Sequence, residues 1–185
     1  MQSGAIWPAE NPTTLSRKIS AAVVGCGLLL ASAASFTQDR RGPSTAEERQ
    51  QALEYIHSWQ ADPLGPQAKD QFAWVLKWFV DVPDLTVHVC TVLDKLPKGE
   101  KKDSGTIFGG QFMAQAAFVI ENAGKRDDRI AEFQAGVEGA LHVYEVLLKA
   151  NSKDRQPYLD DLIERSDQGT LAQFVKERAA AECKN

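Results

Sequence analysis

The sequence predicts an all-α protein, a compact irregular antiparallel bundle of about six or seven helices. Three observations support this fold class. Apolar side chains return at helical spacing through most of the chain after residue 44, and capping signals, prolines and glycines separate these stretches. At 185 residues, with 43% hydrophobic and 25% charged residues, the chain is also long enough to build one hydrophobic core.

A basic pair, an apolar run and small residues follow one another near the N-terminus. Residues 17–18 are Arg-Lys, residues 19–31 are largely apolar, and Ala31-Ser32-Ala33 has the A-x-A pattern of a cleavage site. We therefore expect residues 1–35 to be a secretory signal peptide that is cleaved near residues 33–35. A permanent membrane span needs about 20 apolar residues, and this run is too short for one.

The same region supports two alternative interpretations. The segment before Arg17 is long and irregular for a signal peptide, which fits a translation start further downstream. Val23-Val24-Gly25-Cys26 loosely fits the box that precedes a lipid-modified cysteine. Lipid anchoring through Cys26 is therefore the minority alternative to simple cleavage.

The two cysteines beyond the signal peptide, Cys90 and Cys183, predict a disulfide bond. Exported proteins fold in an oxidising compartment, where an even number of cysteines can pair. Both cysteines also fall at the edge of a predicted apolar helical face. Two unrelated buried thiols are the alternative interpretation.

The N-terminal boundary of the fold follows from polar and turn-forming residues. Residues 36–44 contain Gly and Pro and predict a flexible leader before a single helical domain at residues 45–185. Ser44-Thr45-Ala46-Glu47 has the spacing of a capping box, which predicts that the first helix begins there. This helix should end before the turn signal Asp62-Pro63-Leu64-Gly65-Pro66, and Pro66 suits the first position of the second helix.

The second helix should present one apolar face, until Pro83 interrupts its hydrogen bonding. Apolar residues return at helical spacing from Asp84 to Leu96, which predicts a third helix over residues 84–96. The β-branched content of residues 86–93 leaves a strand as the minority interpretation. Residues 97–104 are charged and predict an exposed loop.

Two long apolar stretches predict the centre of the bundle. Residues 106–123 have a broad apolar face, which indicates a central helix that Gly124 ends, and residues 130–148 have nearly ideal helical periodicity. Gly136 and Gly139 lie inside the latter helix, where each lowers stability by roughly 1 kcal/mol relative to Ala. We expect close approach of a neighbouring helix at these glycines, and a ligand groove is the alternative.

The C-terminal part predicts two shorter helices. Pro157 suits the first turn of one helix, and Gly169 ends it. Thr170-Leu171-Ala172-Gln173 has the spacing of a second capping box and predicts the start of the last helix.

Charge and motifs exclude several classes of function. The formal net charge is −4, and no basic stripe is present, so nucleic acid is a poor candidate partner. The sequence contains no metal-ligand, haem-attachment, calcium-loop or nucleophile motif, and the pair Gly109-Gly110 lacks the lysine and hydroxyl of a phosphate loop. We therefore predict no cofactor and no catalytic residue. The carboxylates Asp160, Asp161 and Glu164 are best explained as a solvated helix face.

The three histidines and the tryptophans are the remaining candidates. His57, His88 and His142 are expected to be surface or boundary residues, with a site built from His88, His142 and nearby carboxylates as the alternative. Trp74 and Trp78 lie four residues apart on one helix stripe. Large aromatic side chains are enriched in binding hot spots, so this pair is the predicted binding surface, although core packing is the default role.

These observations favour an exported, noncatalytic interaction protein, periplasmic or extracellular, with a protein partner. The alternative function is a small periplasmic enzyme, or a helical bundle that binds a metal or cofactor. The general plan, with its C-terminal Cys183, is similar to small exported bacterial helical proteins, including some immunity proteins against secreted toxins. That resemblance covers the plan and the last helix, and it assigns no binding residue.

Overall fold

Six α-helices and one 3₁₀ turn form the regular structure of this computed structural model, which describes residues 41–90, 93, 103–125 and 127–183. The helices are α1 (Ala46–Ala61), α2 (Ala68–Asp81), α3 (Ser104–Glu121), α4 (Arg129–Ala150), α5 (Pro157–Asp167) and α6 (Leu171–Glu182), and the 3₁₀ turn is Ala123–Lys125. None of the described residues lies in a strand, so the all-α prediction is confirmed. The predicted signal peptide, including Cys26, lies outside the described residues.

The α1 helix begins one residue later than the capping pattern suggested. Thr45 is the N-cap: its hydroxyl accepts the N–H of Glu48 at 3.2 Å, and the Glu48 carboxylate accepts the N–H of Thr45 at 3.0 Å. The predicted cap at Ser44 is wrong because its hydroxyl has other partners. It donates to Asp84 at 2.9 Å and accepts from Arg49 at 2.7 Å, so Ser44 is buried rather than part of a free leader.

The α1 and α2 helices form an antiparallel pair. The Trp59 ring contacts the Phe72 ring, and the Tyr55 ring, one turn earlier on α1, contacts the Trp74 ring two residues further along α2. The paired residues therefore follow opposite chain directions on the two helices. The short turn between the two helices produces this arrangement, as the sequence predicted.

The α3 and α4 helices make the most extensive helix contact, and glycines lie at its centre. A Cβ atom at Gly139 would lie 2.6 Å from the carbonyl oxygen of Gly110, and one at Gly110 would lie 2.8 Å from the carbonyl oxygen of Gly139. A Cβ atom at Gly136 would lie 2.7 Å from the side chain of Gln115. The prediction that helix packing explains these glycines is confirmed. The pairing of residues also shows that α3 and α4 are antiparallel.

The α4 helix occupies the centre of the described bundle, because it contacts α1, α3, α5 and α6. Its inward side chains, among them Val137, Val143 and Tyr144, are almost completely buried. No helix in the described ranges combines the length and apolarity needed to cross a bilayer.

Residues 84–90 are not helical, so the predicted third helix is wrong over this described part. Pro83 removes a helical hydrogen bond, and the β-branched residues that follow it disfavour a helix. The segment also does not pair as a strand within the described residues. Instead, the side chains of Glu132 and Gln115 bond to the backbone of His88.

A disulfide bond joins Cys90, at the end of this segment, to Cys183, the C-cap of α6. The two Cα atoms are 5.6 Å apart, a separation typical of disulfide-bonded cysteines. The predicted pairing is therefore confirmed.

The α6 helix begins where the sequence predicted, with Thr170 as its N-cap, but without the predicted capping bonds. Thr170 has helical backbone angles, with φ −100° and ψ −5°, and its side chain makes no capping bond. Its hydroxyl donates to the carbonyl oxygen of Arg165 at 3.3 Å, and the Gln173 amide donates to Glu177 at 2.6 Å. The predicted capping box is wrong here. Gly169 has φ +69°, a conformation that favours glycine, and ends the α5 segment as predicted.

Candidate functional site

The predicted binding pair, Trp74 and Trp78, lies on α2 with its rings stacked. The ring centroids are 6.0 Å apart, and the planes differ by 12°. Trp78 is only 4% exposed and belongs to the core, whereas Trp74 is half-buried. Trp74 is therefore the member of the pair with side-chain surface left for a partner.

The two tryptophans belong to a larger aromatic cluster that connects three helices. Each ring of the cluster contacts at least one other ring at a centroid distance of 5.0 to 6.0 Å. Its members are Tyr55, Trp59, Phe72, Trp74, Trp78, Phe79 and Phe112. Because Phe112 lies on α3, the cluster connects α3 to the α1–α2 pair.

A cavity of about 250 Å³ opens at the edge of this cluster, and we call it the aromatic pocket. The residues that line it come from the α1–α2 turn, α1, α2 and the first turns of α3: Trp59, Pro63, Ala68, Lys69, Phe72, Gly105, Thr106 and Gly109. A Cβ atom at Gly109 would lie 3.2 Å from the Trp59 ring and 3.4 Å from the Phe72 ring. The missing side chain at this position therefore lets the backbone of α3 approach the two rings closely.

Three large apolar side chains near the pocket are exposed to solvent, and we call them the apolar rim. Leu64 is 52% exposed, Leu76 is 42% exposed and Phe108 is 46% exposed. Leu64 follows Pro63 of the pocket, and Leu76 lies one helical turn after Phe72. Phe108 precedes Gly109, so each rim residue adjoins a pocket-lining residue in the sequence or lies one helical turn from it.

Sequence reasoning missed the aromatic pocket because three separate helices build it. Gly109 supplied a partial signal, since a glycine inside a broad apolar helix needs a packing reason. Gly109 and Gly110 both make tight contacts, but with different neighbours: Gly110 faces α4, and Gly109 faces the rings of Trp59 and Phe72.

The second candidate site contains His88 and a buried carboxylate. Glu132 is fully buried, and its Oε2 lies 2.8 Å from Nδ1 of His88. Its Oε1 accepts the backbone N–H of His88 at 2.6 Å, and the amide of Gln115 donates to the carbonyl oxygen of His88 at 2.9 Å. The imidazole itself is 31% exposed. A carboxylate thus orients a solvent-accessible imidazole.

The structure does not bring His142 to His88. Nε2 of His142 donates to the carbonyl oxygen of Gln60 at 3.0 Å, and His142 lies ten residues after Glu132 on α4. Ten residues span about 15 Å along a helix axis, so the two histidines lie far apart. His57 lies 3.5 Å from Glu121 in an exposed pair. Among the described residues, no group of three or more His, Cys, Asp or Glu side chains could hold a metal ion.

A groove of about 460 Å³ lies between α4 and α5 and is lined mainly by charged residues. Asp160 and Glu164 of the predicted acidic face line it, together with Lys149 and Arg155. Arg155 lies 3.4 Å from Asp160, so charges of both signs face each other.

The Tyr144 hydroxyl donates at 2.9 Å to Asp160, which lines this groove, and accepts the N–H of Gln156 at 2.6 Å. Burial of the phenol, together with its bond to Asp160, raises the pKa of Tyr144 above its ordinary value. The bond from Gln156 opposes this shift. Tyr144 therefore stays protonated and joins α4 to the start of α5.

The chain matches no protein-family model, no curated protein and no solved structure. The aromatic pocket with its rim offers a concave apolar surface, the His88–Glu132 pair offers an oriented imidazole, and the α4–α5 groove offers charges of both signs.

Proposed function

We propose that this protein is a noncatalytic interaction module that binds a protein partner through the aromatic pocket and the apolar rim. The main support for this proposal is a cavity with walls of Trp59 and Phe72. Three large apolar side chains that neighbour its lining residues along the chain are exposed to solvent. Exposed apolar groups that cluster in this way mark interaction surfaces, and aromatic residues dominate binding energy at such surfaces.

The proposed location is the periplasm or the extracellular space. Two features support it: the N-terminal pattern of residues 1–35 and the disulfide between Cys90 and Cys183. Mass spectrometry of the protein from a secreting bacterial host tests this proposal. We expect a chain cut near residues 33–35, and a lipid-modified Cys26 or an uncut chain would contradict simple cleavage.

A selection from a random peptide library displayed on phage tests the interaction proposal. The bait is the oxidised full chain, and selected peptides are then measured against Leu76→Ser and Phe108→Ser. Each variant removes an exposed apolar side chain of the rim, so we expect at least roughly tenfold weaker binding at a true hot spot. Circular dichroism checks that both variants remain folded.

Val89→Ser is the matched control for these variants. Val89 is 65% exposed but lies on the segment after α2, away from the pocket-lining residues. We expect peptide binding to Val89→Ser to equal that of the unchanged protein. Peptides that bind the rim variants as tightly as the unchanged protein, or no enriched peptides at all, would contradict the proposal.

The second candidate function is a small periplasmic enzyme or a cofactor carrier, and the His88–Glu132 pair favours it. A carboxylate that accepts Nδ1–H of an imidazole leaves Nε2 available as a general base. Metal analysis and an absorption spectrum of natively purified protein test the carrier version. A bound metal or a visible absorption band that His88→Gln removes would favour this function, and a colourless, metal-free sample argues against it.

A further inference from the structure

The aromatic pocket contains one charged side chain among the described residues that line it, that of Lys69. Lys69 lies in the first turn of α2 and is exposed, and it forms no ion pair within the described part of the chain. Lys77, further along the same helix, is instead paired with Asp81 at 2.5 Å. A lone ammonium group therefore lies beside an apolar cavity.

The size of the pocket limits its occupant. Its volume of about 250 Å³ lies below the roughly 300 to 1,000 Å³ of most small-molecule sites. One large side chain fits such a space, where it lies against Trp59 and Phe72 of the pocket lining. Burial of an apolar group against two aromatic rings supplies the binding energy.

We infer that the aromatic pocket binds one large apolar side chain that is flanked by a carboxylate, within an acidic segment of the protein partner. This inference rests on the proposed function and specifies the partner's chemistry. The apolar side chain fills the pocket that Trp59 and Phe72 line, and the carboxylate pairs with the Lys69 ammonium group at the pocket edge. Charge complementarity of this kind selects among partners more strongly than it raises affinity.

Three probes of the same shape and different charge test the inference: 3-phenylpropionate, 3-phenylpropanol and 3-phenylpropylammonium. Each is titrated into the ¹⁵N-labelled, oxidised full chain, and the amide shifts are followed by NMR. We expect the largest shifts at Gly105 and Gly109, which line the pocket. The carboxylate probe should bind roughly threefold more tightly than the alcohol, as an exposed ion pair allows, and the ammonium probe should bind most weakly.

Two variants separate the charge from the cavity. Lys69→Gln should make the carboxylate and the alcohol bind equally, whereas the matched control Lys77→Gln should keep the preference. Gly109→Ala places a methyl group against Trp59 and should weaken all three probes by roughly threefold or more. If Gly109→Ala fails to fold, Thr106→Leu narrows the same pocket from one turn earlier on α3.

The outcomes distinguish this inference from the proposed function. Shifts outside the pocket, equal affinity for the carboxylate and ammonium probes, or a charge preference that survives Lys69→Gln would overturn the inference. If rim variants still abolish peptide binding in that case, the proposed function stands without it. If rim variants and probes both show no effect, the interaction proposal fails as well.

Discussion

Glu132 contacts His88 through both of its carboxylate oxygens, one on the backbone N–H at 2.6 Å and one at Nδ1 at 2.8 Å. The side-chain amide of Gln115 donates to the carbonyl oxygen of His88 at 2.9 Å. Both backbone groups of His88 thus bond to side chains of α3 and α4, where a strand would bond to a neighbouring strand. These bonds fix residues 84–90 against the bundle without regular secondary structure.

Glu132→Ala should lower the free energy of unfolding by about 2 to 4 kcal/mol, because it leaves the backbone N–H of His88 without its acceptor in a buried site. Glu132→Gln keeps an acceptor oxygen and should lower it by only about 1 kcal/mol. Urea unfolding followed by circular dichroism measures both. Equal losses for the two variants would show that the negative charge, rather than the acceptor, matters at this position.

Gly139→Ala should destabilise the protein by about 1 to 3 kcal/mol, even though Ala is the better helix former. The added Cβ atom would lie 2.6 Å from the carbonyl oxygen of Gly110 and would also collide with the Cβ atom of Ala114, so α3 and α4 would have to separate. Gly124→Ala is the control, because its Cβ atom would meet nothing within 4 Å. A thermal melt in which both variants behave alike would disprove close packing at Gly139.

Because of Asp84, we expect the free energy of unfolding to fall as the pH is lowered into the acid range. Burial raises the pKa of its carboxyl, but hydrogen bonds from the N–H and hydroxyl of Ser44 and from Arg49 outweigh burial and hold the pKa below its ordinary value of 3.8. Because the folded-state pKa is depressed, the stabilisation is complete above the ordinary value. It is lost as the pH falls through the folded-state pKa.

Asp84→Asn should therefore reduce stability at pH 7 and flatten its decline below pH 4, the region set by the ordinary value of 3.8. Denaturant unfolding at several pH values between neutrality and pH 2 measures this. Asp70→Asn, which removes an exposed carboxylate on α2, is the control and should keep the acid decline of the unchanged protein. A full acid decline in Asp84→Asn would assign it to other carboxyl groups.

Helical periodicity predicted the fold well and failed at one segment for a physical reason. Apolar spacing over residues 84–96 resembles a helix face, but periodicity describes only which residues are apolar. The acceptor Glu132 and the donor Gln115 that hold His88 lie 44 and 27 residues away in the sequence. Such bonds depend on how α3 and α4 pack, so local patterns do not reveal them.

The candidate site was predictable only in part. An aromatic stripe on α2 is visible in the sequence, but whether a given ring is buried depends on which neighbour covers it. Trp78 packs against Phe79 and is 4% exposed, whereas Trp74 keeps some surface. The pocket beside Trp59 and Phe72 needs the first turns of α3, whose position relative to α1 is a tertiary property.

The Cys90–Cys183 disulfide should contribute much of the protein's stability, because it connects positions 93 residues apart. In the chain-entropy treatment, closing a loop of that length raises the free energy of the unfolded chain by about 4 to 5 kcal/mol. The double variant Cys90→Ser with Cys183→Ser should lose about that amount in urea unfolding, and the unchanged protein with a reducing agent should lose the same. Because residues 84–90 are also held through His88, we expect the reduced protein to keep its helical circular dichroism in the absence of urea. Equal stability of the oxidised and reduced protein would show that the bond leaves the folding equilibrium unchanged.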